Sequence, residues 1–165
     1  ISELGKYLED EGMPLAYHHH MGTVIETQKD TERLIENTHE SVKLTLDTGH
    51  MLFAKGDSKS ILQNYHERIL HVHCKDIRKQ VLEKSLKEDL SFRGAFLEGA
   101  FTVPGDGCID YQPLFNVLKN NNYSGWLVVE AEQDPAKANP LEYAKIGYKY
   151  LTDTLKKSEI EIYKN

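Results

Sequence analysis

Val42-Lys43-Leu44-Thr45-Leu46-Asp47-Thr48-Gly49-His50 decides the fold. Its first six residues are rich in β-branched and apolar side chains and predict a strand. The strand ends on a carboxylate, and a Gly-assisted turn then returns an imidazole. Three other segments follow the same plan. Ile69-Leu70-His71-Val72-His73-Cys74 is a strand running into Lys75 and Asp76. Trp126 to about Ala131 is another, leading to Glu130 and Glu132. Leu15-Ala16-Tyr17-His18 is short and runs into His19 and His20.

Helical patterns separate the strands. Ile1 to about Glu11 is amphipathic, with Ile1, Leu4 and Leu8 on one face, and ends near Gly12. Thr27 caps a predicted helix to about Asn37, with Asp30 as a capping-box partner. Asp57 or Ser58 caps the helix that carries Ile61, Leu62 and Tyr65. Tyr111 to Asn120 is helical around Leu114, Val117 and Leu118. Asn139-Pro140 opens a last helix with Leu141, Ala144, Tyr148, Leu151 and Leu155 as its apolar stripe. Lys75 to about Val103 predicts helical pieces at best, Pro104-Gly105-Asp106-Gly107 a loop, and Lys156 to Asn165 a polar tail. Strands that alternate with helices imply a parallel sheet covered by helices, an α/β fold.

Composition bounds the function. The 165 residues hold 20 Lys plus Arg against 26 Asp plus Glu, a net charge of −6. That balance disfavours a nucleic-acid binder. The longest apolar run, Trp126 to Val129, is too short to span a bilayer, so no membrane partner is expected. Two cysteines make no disulfide framework, and a reduced, cytoplasmic protein is the expectation. No linker divides the chain, so residues 1–165 are expected to form a single domain. The chain opens on Ile1 inside an amphipathic pattern, and so it is expected to be part of something larger.

His18, His19, His20, Asp47, His50, His73, Lys75, Asp76, Glu130 and Glu132 all fall at or just after strand ends, the edge where parallel α/β folds bind ligands. Strand alternation puts His18 with His20, and His71 with His73, on shared faces. Two neighbouring carboxylates, Glu130 and Glu132, are costly to bury without a cation. Imidazoles with carboxylates suit Mn²⁺, Co²⁺, Mg²⁺ or Zn²⁺ better than a thiolate-selecting metal. Blander roles exist for each residue: Asp47 capping a helix, a histidine packed in the core, a glutamate paired with a lysine, Lys75 bridged to Asp76. No P-loop, dinucleotide fingerprint, nucleophile elbow or Cys-x-x-Cys is present.

Taken together, Leu15 to Thr23, Leu46 to His50, His71 to Asp76, Phe101 to Gly107 and Gly125 to Pro135 resemble the xylose-isomerase-like TIM barrel superfamily of sugar isomerases, ketose 3-epimerases, endonuclease IV and inosose dehydratases. The His-His-His-Met-Gly-Thr and Glu-Ala-Glu-Gln-Asp-Pro segments resemble its inosose dehydratase branch most. The resemblance implies the C-terminal half of a (β/α)₈ barrel, with about four strand-helix units and the N-terminal half absent. It implies a divalent metal, Mn²⁺ or Co²⁺ first, held by Asp47, His73 and Glu130. His18 stands opposite the superfamily's first glutamate, with His20 or water as alternatives for that ligand. It implies dehydration of a keto-inositol, scyllo-inosose, to a trihydroxycyclohexane dione in myo-inositol catabolism. His50 is the first candidate for proton transfer, and Lys75, His20 and Glu132 are candidates for the second such role. A ketose 3-epimerase or sugar isomerase, or an inactive half-barrel, is the alternative. The partner is a small polyol, with homo-oligomers also admitted.

Overall fold

A computed structural model describes residues 1–163; Lys164 and Asn165, the end of the expected tail, lie outside the described residues. The elements in order are α1 (Ser2–Asp10), β1 (Leu15–His18), α2 (Gln28–Glu36), β2 (Val42–Asp47), α3 (Thr48–Phe53), α4 (Ser58–Tyr65), β3 (Ile69–Cys74), β4 (Asp76–Ile77), α5 (Lys79–Lys87), α6 (Phe92–Leu97), β5 (Phe101–Thr102), α7 (Gln112–Asn120), β6 (Trp126–Val129) and α8 (Pro140–Lys157). Two compact units divide the chain. The first is Ile1–His73 with Ser124–Val128; the second is Cys74–Tyr123 with Val129 to the end of the described residues.

The first unit is built on the sheet β1-β2-β3-β6. β1 pairs with β2 in parallel from Leu15↔Val42 to His18↔Thr45, and β2 pairs with β3 in parallel, ending at Asp47↔His73. Val42, Leu44, Leu46 and Val72 are buried and alternate with Thr45, Asp47, His71 and His73, so one face of these strands is apolar and the other polar. Ile35, Phe53, Ile61 and Leu62 are buried with them from the helices. The Thr27 capping box forms in full: the hydroxyl accepts from Asp30 N–H, and Asp30 accepts from Thr27 N–H. α1 differs from expectation. Gly5 is its buried residue, packed against Ser41 and Val42, while Ile1 and Leu4 are exposed.

The second unit corrects the all-parallel expectation. β4 and β5 form an antiparallel pair, Asp76↔Thr102 and Ile77↔Phe101, around α5 and α6. Arg78 locks the pair by donating to the carbonyls of Gly99 and Phe101, to Thr102 Oγ1 and to Asp106 Oδ2. Asn139 caps α8 through the N–H groups of Leu141 and Glu142, as its sequence predicts. The stripe holds in its second half only: Leu151 and Leu155 are buried, together with Gly147 and Thr154, while Leu141 is 64% and Tyr148 59% exposed. α8 also extends through Lys157, into what the sequence reads as tail.

Candidate metal centre at the strand ends

The parallel register builds the site. Asp47 and His73 are register partners at the ends of β2 and β3, and His18 ends β1 opposite Thr45. All three occupy the polar face. His18 Nε2 lies 3.4 Å and His73 Nδ1 3.7 Å from the same oxygen, Asp47 Oδ2. One ligand atom from each of the three residues falls within a common 4.8 Å. Ligands about 2.1 Å from one ion sit about 3 Å apart, so two imidazoles and a carboxylate at this spacing fit a first-row divalent cation.

Asp47 takes both roles that its sequence allows. Its Oδ1 accepts the His50 N–H at 2.8 Å and caps α3, a helix the sequence reads only as a turn. Thr-Gly-His-Met-Leu-Phe has weak helix propensity, and the cap and burial of Thr48, Met51 and Phe53 override it. Thr48 Oγ1 donates to the His73 carbonyl at 3.2 Å, tying the start of α3 to the end of β3. The other carboxylate oxygen is thereby left facing the imidazoles. Asp47 is fully buried, and a buried carboxylate needs compensating partners of this kind.

The histidines form one cluster. The His20 and His50 rings lie 3.7 Å apart between centroids, tilted by 41°, and the His18 ring is 5.5 Å from His20 and 5.8 Å from His50. His20 Nδ1 donates to the Met21 carbonyl at 2.7 Å, which holds the ring in place. His19, to which the sequence assigns no separate role, is fully buried, and its Nε2 accepts the Asp47 N–H at 3.1 Å. Periodicity carries no signal for that bond, because it depends on where β1 stops.

Lys75, Glu130 and Glu132 meet in the second unit. Lys75 Nζ lies 3.1 Å from Glu130 Oε2 and 3.0 Å from Glu132 Oε2, with its side chain fully buried. Tyr111 O–H donates to the Lys75 carbonyl at 3.0 Å. A Lys75-Asp76 bridge is not the arrangement found: Asp76 Oδ1 instead accepts the N–H groups of Ile77 and Ile109. β6 stops at Val129, two residues before the predicted end, so both glutamates follow the strand and do not belong to it. They nevertheless share one cation, as alternate residues of an extended segment can.

The model of the family described as xylose isomerase-like TIM barrel matches residues 1–154. The chain therefore belongs to the xylose isomerase-like TIM barrel family. It is 52% identical over 154 residues to an inosose dehydratase of Clostridium beijerinckii, covering 93% of this chain and 52% of that protein. It is 47% identical over 156 residues to one of Lactiplantibacillus plantarum, covering 94% and 52%. The chain thus spans about half the length of these curated relatives. Among solved structures, the IOLI protein with a binding zinc atom is similar at a TM-score of 0.69 and 22% identity, over 95% of this chain and 54% of that one. A D-tagatose 3-epimerase-like protein is similar at 0.61 and 18%, over 94% and 53%. At these identities the shared feature is the fold.

Proposed function

We propose that the chain supplies the metal-holding part of a hydro-lyase, an inosose dehydratase, which removes water from 2-keto-myo-inositol (scyllo-inosose) to give a trihydroxycyclohexane-1,2-dione. The observation that carries this reading is the meeting of His18, Asp47 and His73 at three neighbouring strand ends. The 52% identity to an inosose dehydratase over nearly the whole chain supports the choice of substrate. On this reading residues 1–165 are one partial domain, contributing four of a barrel's eight strands. The protein is cytoplasmic and acts on a small polyol.

His18, Asp47 and His73 hold the cation, with Glu130 as the further ligand its motif implies. A bound Mn²⁺ or Co²⁺ supplies Lewis acidity toward the ketone oxygen. His50 removes the proton α to the ketone, and the bond from its N–H to Asp47 Oδ1 fixes its backbone. The β carbon-oxygen bond then breaks, its electron pair leaves with the oxygen, and a donated proton releases water. His20, Lys75 and Glu132 are the candidates for that donation. Lys75 also holds Glu130 and Glu132 together and offsets one of their two negative charges.

The test is an assay of the full-length protein with scyllo-inosose and added Mn²⁺ or Co²⁺. Asp47→Asn and His73→Ala are each expected to lower kcat/KM at least 100-fold, and a chelator to abolish dione formation. Dione formation indifferent to chelator would sink the metal-site reading. Epimerised ketose without dehydration would replace it with the epimerase alternative.

A further inference from the structure

Asp47 is central to the proposed centre, and its main chain is held in an unusual way. The β1-β2 ladder ends at His18↔Thr45, whereas β2 continues to Asp47. An N–H buried beyond the last rung needs another acceptor. His19 Nε2 provides it at 3.1 Å, from a side chain with no exposed surface. Strand alternation would have turned His19 away from His18 and His20, but β1 has ended and the chain is free to turn. Within the same residue, Asp47 Oδ1 is held by the His50 N–H, and Oδ2 faces His18 Nε2 and His73 Nδ1. With the amide and one oxygen both fixed, the direction of the second oxygen is fixed as well.

We propose that His19 is a positioning residue whose imidazole replaces the missing ladder bond at Asp47 and so aims the carboxylate at the cation. This rests on the reading of His18, Asp47 and His73 as a divalent-cation site. His19 acts through the Asp47 main chain. An outer partner of this kind commonly changes metal affinity by about 10- to 100-fold when lost. The acceptor matters more than the ring. A glutamine carries its amide oxygen about as far from the backbone as Nε2, so His19→Gln keeps an acceptor, whereas His19→Leu fills space without one.

Two measurements on the full-length protein test this. The first is the ¹⁵N–¹⁵N coupling across the hydrogen bond between the Asp47 amide and His19 Nε2, read by NMR in the unsubstituted protein. A detectable coupling is expected, and its absence would overturn the proposal even if every variant misfolds. The second is titration with Co²⁺ alone, followed by calorimetry. His19→Gln is expected to bind within about threefold of the unsubstituted protein, and His19→Leu at least tenfold more weakly. Folded His19→Leu that binds Co²⁺ as tightly as the unsubstituted protein would overturn the positioning role and leave the cation site standing. Unsubstituted protein that shows the coupling but binds Co²⁺ no better than Asp47→Asn would instead sink the cation-site reading, and the role of His19 with it.

Discussion

Asp76 shows how far one residue's surroundings can set its chemistry. Its carboxylate is fully buried, and among the described residues no cation lies within ion-pair distance. Oδ1 accepts the N–H groups of Ile77 and Ile109, and a Cβ at Gly107 would overlap the carboxylate, so the loop wraps closely around it. Burial raises its pKa above the ordinary 3.8, and the backbone donors, Ile109 foremost, oppose that only in part. The folded protein therefore keeps this proton at pH values where the unfolded chain has lost it. The resulting stability is full below 3.8 and is lost as pH rises through the folded-state value. Asp76→Asn keeps the Oδ1 acceptor and removes the titration. The Tm of the unsubstituted protein minus that of Asp76→Asn is thus expected to fall from about pH 3 to about pH 7. A difference that is flat, or that rises, would contradict the burial argument. Lys75 shows the opposite solution to the same problem, a buried charge compensated by two carboxylates.

Two helices show how the same substitution changes sign with its setting. A Cβ at Gly147 in α8 would meet Val129 Cγ1 at 2.6 Å and Val103 Cβ at 3.1 Å, both on stiff β-branched residues. Overpacking of this kind costs about 1–3 kcal/mol, against a helix-propensity gain for alanine of about 1 kcal/mol. Gly147→Ala is expected to be destabilising by about 1 kcal/mol. At Gly94 in α6 the nearest atom is Ser91 Oγ at 3.4 Å, an ordinary contact, and Gly94→Ala is expected to be stabilising by up to about 1 kcal/mol. Urea midpoints of the two variants measure both, and equal signs would show that packing does not decide. The elements themselves were unevenly legible. β1, β2 and β3 fall at their predicted residues, because each is an apolar run bounded by turn residues. α3 was hidden by Gly49 and Thr48, poor helix formers rescued by a cap. β4 and β5 are two residues each, too short for any period, and pair across 23 intervening residues. In α8 Leu151 and Leu155 of the expected stripe are buried, but at Leu141 and Tyr148 the stripe turns outward, and Gly147, close to Val103 and Val129, is the residue that faces inward there. At the site, strand-end chemistry was visible in His18, Asp47 and His73, whereas the contribution of His19 depends on a ladder ending that no local pattern encodes.

At the scale of the molecule, the sheet order makes β1 and β6 its edges, and among the described residues neither takes a second strand partner. An edge presents a row of unpaired N–H and C=O groups that templates further pairing. Proteins usually guard such edges with lysine, proline or a bulge, yet β1 is Leu-Ala-Tyr-His and β6 is Trp-Leu-Val-Val. Trp126 is 63% exposed, and every residue of β1 is only half-buried. A barrel of this class closes on eight strands, and on the proposed reading the four strands of this sheet are part of one. The net charge of −6 opposes association, but at physiological salt it is screened over about 8 Å, whereas edge pairing acts at contact. The chain of 165 residues on its own is therefore expected to associate, and to do so more strongly as salt is raised. Light scattering after gel filtration should give masses above 18.9 kDa that grow with concentration. Trp126 is the single tryptophan, so its emission should move to the blue as the β6 edge is covered. A monomer at every concentration, with red emission and one cooperative unfolding transition, would show that the edges are protected and that the four strands do not seek four more.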